Sequence, residues 1–248
     1  MRETLYGRQA IRESLRAGRR KPFRLLMAET VVDSPIIEDI LALAQRQRVP
    51  VMNISRHEME TIVGHTNHQG VALETTDYPY VTLEAMLERA AERGEKPLIL
   101  LLDLIQDVHN LGSLIRTAEA VGVHGVVIQS RRAAGVTPAV VDTSSGAVEH
   151  MLIAQENNLV QAIETLKSKD IWIAGLEYVY GAKPYTEVDL TMPLGIVVGS
   201  EGEGLRRLVR ERCDWLMYLP MRGQINSLNA AVAGSIMLYE VVRQRGII

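Results

Sequence analysis

The sequence predicts an α/β protein: a small N-terminal α/β layer, then a larger domain built on a mostly parallel sheet. Six short, largely apolar runs carry the second part of that prediction. They lie at Leu98–Leu102, Gly125–Gln129, Met151–Ala154, Ile171–Gly175, Leu194–Val198 and Trp215–Leu219. Runs of this kind fit strands covered on both faces, and helical stretches separate most of them, as in parallel β-α units. A shorter, more polar series of elements comes before them. Between the two lies Thr76–Thr82, with Tyr78-Pro79-Tyr80, and proline resists both helix and central strand. The expected division is therefore residues 1–77, a linker and connecting helix over 78–96, and a second domain over 97–248.

The N-terminal elements follow in order. Residues 8–20 have two helical faces: Ala10, Ile11, Ser14 and Leu15 on one, and Arg8, Arg12 and Arg16 every four residues on another. Phe23–Ala28 reads as a strand. Ser34-Pro35 supplies an N-cap and a first-turn proline for a helix over 35–48. Val49–Ile54 is a second strand, Ser55 and Glu58 make a capping box for a short helix ending near Gly64, and Val71–Thr75 is a third strand. A helix over Leu83–Gly94 leads into the second domain. The last helix is expected from Asn226 to Arg245, with apolar residues on more than one face, so that it packs on the sheet and on something else, a partner subunit being one candidate.

Composition excludes several classes. The chain has 248 residues, 23% of them charged, and a formal net charge of −3, ordinary for a soluble globular protein. The charge is unevenly distributed: residues 1–24 carry eight Arg or Lys against Glu3 and Glu13. With the stripe running on into Arg19-Arg20-Lys21, Arg8, Arg12 and Arg16 are candidates for phosphate contacts. Cys213 is the only cysteine, which excludes an intrachain disulfide and a thiolate metal cluster and suits a reducing cytoplasm. The longest apolar run stops at Asp103, far short of a membrane span, and the arginine-rich N-terminus has no apolar core of a secretory signal. In His65-Thr-Asn-His-Gln-Gly70 no Cys, Asp or Glu completes a metal site, so none is expected; the loop, with His68, is a candidate for RNA contact.

Three stretches carry chemistry. After a strand ending at Asp103, a polar loop with Asn110 opens a helix near Gly112, and Arg116 stands one turn into it. The second, Gly199-Ser-Glu-Gly-Glu-Gly204, lacks both the dinucleotide and the P-loop pattern, and Glu201 and Glu203 would repel a polyphosphate. A glycine loop presenting carboxylates suits a polar or cationic ligand instead, S-adenosylmethionine being one. The third, Pro220–Asn229, sets Asn226, Ser227 and Asn229 at a helix start, more than one cap requires.

Together these stretches resemble the SpoU (TrmH-like) branch of the SPOUT superfamily of RNA methyltransferases. Asn110-Leu-Gly with Arg116-Thr-Ala looks like its first motif, Gly199–Gly204 like its second, and Leu219-Pro-Met with Asn226-Ser-Leu-Asn like its third. Tyr6-Gly7 and His68-Gln-Gly70 resemble the small substrate-binding domain of the large-subunit rRNA guanosine 2′-O-methyltransferases. One departure is Val108, where the first motif usually has proline.

The resemblance implies an L30e-like N-terminal domain, a C-terminal trefoil knot and a homodimer formed through the knot region. It implies S-adenosylmethionine as cofactor, held by Gly199, Leu219, Leu228, Gly204 and Pro220. The catalytic surface would be Asn110, Arg116, Glu201, Ser227 and Asn229. The expected reaction is methylation of a ribose 2′-hydroxyl, of rRNA before tRNA, in the cytoplasm and without metal or membrane. The resemblance makes Arg116 a general base. Because a guanidinium resists deprotonation, an electrostatic role is the alternative. A scaffold without catalysis would not need the whole residue set. A hydrolase using Ser144 or Ser145 with His150 lacks a nucleophile elbow.

Overall fold

A computed structural model describes residues 2–247. In chain order its first elements are β1 (Arg2–Tyr6), α1 (Arg8–Ala17), β2 (Pro22–Ala28), α2 (Pro35–Arg46), β3 (Val51–Ile54), α3 (Arg56–Val63) and β4 (Val71–Thr76). Then come α4 (Leu83–Glu92), β5 (Leu98–Asp103), α5 (Val108–Ala120), β6 (Gly125–Gln129), α6 (Pro138–Thr143), β7 (Ile153–Glu156), α7 (Leu159–Lys167) and β8 (Trp172–Leu176). The chain finishes with β9 (Lys183–Pro184), β10 (Leu194–Gly199), α8 (Arg207–Arg210), β11 (Trp215–Tyr218) and α9 (Ala230–Gln244). They form two compact units, residues 2–79 with 136–150, and residues 80–135 with 151–247. Residues 136–150, expected within the second domain, thus fold with the first unit.

The first unit holds a four-stranded sheet in the order β1-β4-β2-β3, with β4 antiparallel to both neighbours and β2 parallel to β3. Leu26, Ala28, Met59 and Ala72 pack together beneath it. The capping box at α3 forms as expected: Glu58 N–H donates to Ser55 Oγ and the Glu58 carboxylate accepts from Ser55 N–H. Ser34 stands at the start of α2 but makes no side-chain cap; its hydroxyl accepts from Arg8 instead.

Several expectations need correction here. β1 was not expected, because Arg2-Glu-Thr-Leu-Tyr6 presents a single buried residue, Leu5, as an edge strand can. α1 stops at Ala17, since Gly18 takes a left-handed conformation with φ 62°. Arg20 is therefore off the helix, its side chain fully buried, its Nε on the Glu149 carboxylate and its Nη1 on Glu3. The proposed linker is packed as well. Tyr78 is buried, accepts from Arg19 Nη1, donates to Val148 O at 3.3 Å, and burial pushes its hydroxyl up to about 12.

The second unit is a seven-stranded sheet, order β7-β6-β5-β10-β8-β11-β9, with every recorded pairing parallel. All six expected strands are present; β7 begins two residues later than expected, and β9 is an additional two-residue strand at the edge. On one face Ile99, Leu101, Val127, Ile173 and Val197 meet Leu83 and Met86 of α4 and Leu159, Ile163 and Leu166 of α7. Burying each such side chain stabilises the fold by about 1.5–3 kcal/mol. α9 packs against α5 and β10. No described helix is long and apolar enough to cross a membrane.

Candidate active site

Parallel pairing aligns the carboxyl ends of β5, β10, β8 and β11 at one edge, where ligands bind in open α/β sheets. Asp103 and Gly199 are register partners there, so the loops after β5 and β10 start side by side. The second loop folds back on itself, with Gly204 N–H donating to Ser200 O at 3.1 Å. That return needs glycine twice. A Cβ on Gly199 would lie 2.3 Å from the Gly204 carbonyl, and Gly204 has φ +66° with Glu177 Oε1 2.8 Å from where its Cβ would be.

Three side chains meet above this edge. Asn110 Nδ2 donates to Glu201 Oε1 at 2.9 Å, and Asn229 Nδ2 donates both to Glu201 Oε1 and, at 2.8 Å, to Asn110 Oδ1. Helix caps fix two of them. Asp107 caps α5 by accepting from Asn110 N–H at 2.8 Å, and Asn229 caps α9 by accepting from Ala231 and Val232 N–H. The cluster thus joins α5, the loop after β10 and the start of α9 through one carboxylate oxygen, which sets Glu201 facing the loop that precedes α9.

Beside the cluster lies a cavity of about 520 Å³. Gly199 and Gly204 line it with Leu219, Ser227 and Leu228, and so do Asn229 and Glu201. Glu203 and Glu177 add further carboxylates, and Tyr178 meets Tyr218 edge-on with centroids 4.8 Å apart. Glu177 was missed by sequence reasoning. It sits just after β8 in a stretch with no glycine signature, and only its place beside Gly204 and Arg210 reveals it. Burial, partly offset by Arg210, holds its carboxyl above the usual range.

The remaining expected residues fall elsewhere or differently. α5 begins at Val108 rather than near Gly112, so Asn110 is in its first turn and Arg116 in its third, on an exposed face. α9 begins at Ala230 rather than Asn226, which leaves Asn226 and Ser227 in the exposed approach to the helix. Pro220 is exposed and does not belong to the cavity lining, although its neighbours Leu219 and Met221 do.

In the first unit the basic stripe is balanced by an acid remote in sequence. Arg16 pairs with Asp39 of α2 and with Glu13, Arg12 pairs with Glu13, and Arg8 donates to Gln69 O and Ser34 Oγ. His68, expected to face RNA, is only 3% exposed; its Nδ1 accepts from Gly70 N–H, holding the turn, and burial lowers its pKa. Among the described residues no group of three or more His, Cys, Asp or Glu could hold a metal ion.

Comparison with known proteins places this geometry in a family. Residues 97–239 match the SpoU rRNA Methylase family, and residues 4–81 match the RNA 2′-O ribose methyltransferase substrate-binding family. The chain is 41% identical to the TrmH family tRNA/rRNA methyltransferase YacO of Bacillus subtilis, over 96% of this chain and 94% of that one. A Staphylococcus aureus protein carrying the same family name is 38% identical over 97% and 96%. Among solved structures, the SpoU methyltransferase AviRb of Streptomyces viridochromogenes, in complex with AdoMet, superposes with a TM-score of 0.82. That match covers 100% of this chain and 92% of the other at 24% identity, a likeness of fold. A TrmH/SpoU tRNA modifying enzyme of A. aeolicus is 31% identical over 67% of this chain and 86% of its own, with a TM-score of 0.56.

Proposed function

The chain belongs to the SpoU rRNA Methylase family, and from that premise we propose that it methylates a ribose 2′-hydroxyl, that of a guanosine in large-subunit rRNA. The observation that carries the reading is the meeting of Asn110, Glu201 and Asn229 beside a cavity walled by glycine backbone and carboxylates. The match of residues 4–81 to a 2′-O ribose substrate-binding family supports the choice of acceptor. A tRNA acceptor is the second reading, favoured by the names of relatives that carry both substrates.

The cofactor is S-adenosylmethionine, and the residues present fit it. Glu177, Glu201 and Glu203 suit a ligand that carries a sulfonium and an ammonium, and the close return of Gly199 on Gly204 leaves backbone rather than side chain along the cavity wall. Gly199, Gly204, Leu219 and Leu228 would hold its adenosine part. Once bound it supplies an electrophilic methyl group on a good leaving group. The protein's tasks are then alignment, which can account for much of the barrier, and stabilisation of charge on the acceptor oxygen.

Arg116 supplies that charge. Arginine side chains stay protonated in proteins, so its role is to grip the neighbouring phosphate and favour the alkoxide rather than to take the proton. Asn110 and Glu201 hold the surface on which the ribose lies, with Ser227 and Asn229 orienting it. As the methyl ether forms, the hydroxyl proton passes to solvent water, because Arg116 stays protonated, and the methyl donor is left as a neutral thioether. In the first unit Arg12 and Arg16 meet RNA phosphates by exchanging Glu13 and Asp39 for the nucleic acid, and Arg8 by leaving Gln69 and Ser34.

The site works as a homodimer through the C-terminal segment, which is threaded as a knot. α9 turns Val232, Ile236 and Tyr239 outward, 48%, 37% and 49% exposed, at a spacing that makes one apolar stripe. The position of β10 between β5 and β8, with β11 beyond β8, is compatible with the knot. The reaction runs in the cytoplasm, where Cys213 stays reduced.

The test is transfer of labelled methyl from S-adenosylmethionine to total RNA of a strain lacking the protein, with the RNA then fractionated. Label in 23S rRNA that disappears with Arg116→Ala, while calorimetric cofactor binding persists, is the expected result. Label confined to tRNA establishes the second reading. Loss of cofactor binding in Arg116→Ala makes the residue structural.

A further inference from the structure

We infer that Asp103, Arg206 and Gln129 form a positioning cluster that sets the Asn110 loop and the Glu201 loop at the separation at which their side chains bond. The inference rests on reading Asn110, Glu201 and Asn229 as the reacting surface, and concerns residues that do not belong to that surface.

Asp103 ends β5 and is fully buried, and a carboxylate there is costly unless paired and hydrogen-bonded. Both its oxygens are engaged by one residue. Arg206 N–H donates to Oδ2 at 2.8 Å and Arg206 Nε to Oδ1 at 2.7 Å. The backbone bond pins the chain where the glycine loop ends, five residues after Glu201, and the guanidinium keeps the buried carboxylate paired so that it stays in place to accept that bond. The guanidinium then continues to Gln129 at the end of β6, with Nη2 donating to Oε1 at 3.2 Å. The same oxygen of Gln129 accepts from Leu104 N–H at 3.1 Å, the first residue of the loop that leads to Asn110. Leu104 takes a left-handed φ of 59°, unusual for a branched residue, so this bond holds a conformation the residue would otherwise leave.

One carboxylate and one amide oxygen therefore clamp both loops at their roots, and Asn110 and Glu201 meet 2.9 Å apart beyond them. Gln129 is 5% exposed, while the Arg206 side chain is 41% exposed. A bond used only for local stability would need neither the branch to Leu104 nor the contact with a third strand.

The experiment compares Arg206→Ala, Arg206→Lys and Gln129→Met by amide hydrogen exchange of the free protein and by methyl-transfer kinetics, each with and without Glu201→Gln. Arg206→Ala should speed exchange in both 104–110 and 200–206, although residue 206 belongs to only one of them. Its kcat should fall roughly ten- to a hundredfold, since misplacing aligned groups by about 1 Å costs up to that much. Arg206→Ala and Arg206→Lys both keep the backbone bond, but Arg206→Lys also keeps a charge for Asp103 and should recover most of the loss. Gln129→Met keeps the Asp103 pair and should loosen 104–110 first, which preserves the test if Arg206→Ala fails to fold. In the Glu201→Gln background the Arg206→Ala effect on kcat should vanish, because residues acting through one another are not additive.

Exchange changes confined to 205–210, or kinetic effects that multiply undiminished, overturn the inference. A Glu201→Gln protein that transfers methyl at the wild-type rate would instead sink the reading of the reacting surface, whatever the exchange shows.

Discussion

Asn229 Nδ2 donates to Asn110 Oδ1 at 2.8 Å across 119 positions of sequence. The same Asn229 caps α9 through its other amide atom, so the fold of the last helix and the assembly of the site share one side chain.

The two roles separate by substitution. Asn229→Ala should cost about 1 kcal/mol through the lost cap, whereas Asn229→Ser keeps a cap of similar strength. Both should lose methyl transfer by about tenfold or more, since neither can bond Asn110 and Glu201 together. Melting temperature and kcat measured on the two proteins check this; full activity in Asn229→Ser would leave Asn229 as a cap alone.

Gly199→Ala puts a methyl 2.3 Å from the Gly204 carbonyl, which must move. We expect cofactor affinity to fall at least about tenfold, or 1.4 kcal/mol. Titration calorimetry with S-adenosylmethionine measures it, and an unchanged affinity would mean that the loop return does not shape the cofactor site.

In the first unit, Arg20 and Glu149 form a fully buried pair. Glu149→Gln should destabilise the unit by about 1–3 kcal/mol, because the buried Arg20 loses one of its two carboxylates and keeps only Glu3. Replacing both by apolar residues of similar volume should restore most of the loss. Urea unfolding of the three proteins distinguishes this from an ordinary surface pair, for which all changes would stay below about 1 kcal/mol.

His124 gives the second unit a pH dependence. It is buried, accepts from Leu98 N–H at its Nδ1 and faces Glu95 at its Nε2. Burial lowers its pKa, with Glu95 opposing. The unfolded chain therefore binds the proton more readily, so the stability contribution is present above about pH 6.5 and lost as pH falls from there through the folded value. Melting temperature should fall as pH is lowered through that window, and His124→Gln should flatten the dependence. An identical slope in the variant would assign the effect to another group.

Much of the second unit was legible because its strands are unbroken apolar runs with only one way to be buried. β1 was not, since Arg2-Glu3-Thr4 looks like a solvated tail until β4 is there to pair with it. The residues of the site were legible as motifs. Their bonding was not, because Asn110 and Glu201 are 91 positions apart and only the register of Asp103 with Gly199 brings them together. The basic stripe of α1 misled for the same reason. Its balancing acid, Asp39, lies on α2, where helical spacing within α1 gives no sign of it. His68 was read as a candidate for RNA contact, and its burial is a property of the packed turn rather than of the local sequence.

The central claim, transfer to a ribose 2′-hydroxyl, is tested most directly by the alkali stability of the product. RNA methylated with labelled S-adenosylmethionine and then hydrolysed in base should release the label in a dinucleotide, because a 2′-methyl ether removes the hydroxyl that attacks the adjacent phosphate. Label in an alkali-released mononucleotide, the signature of a methylated base, would contradict it.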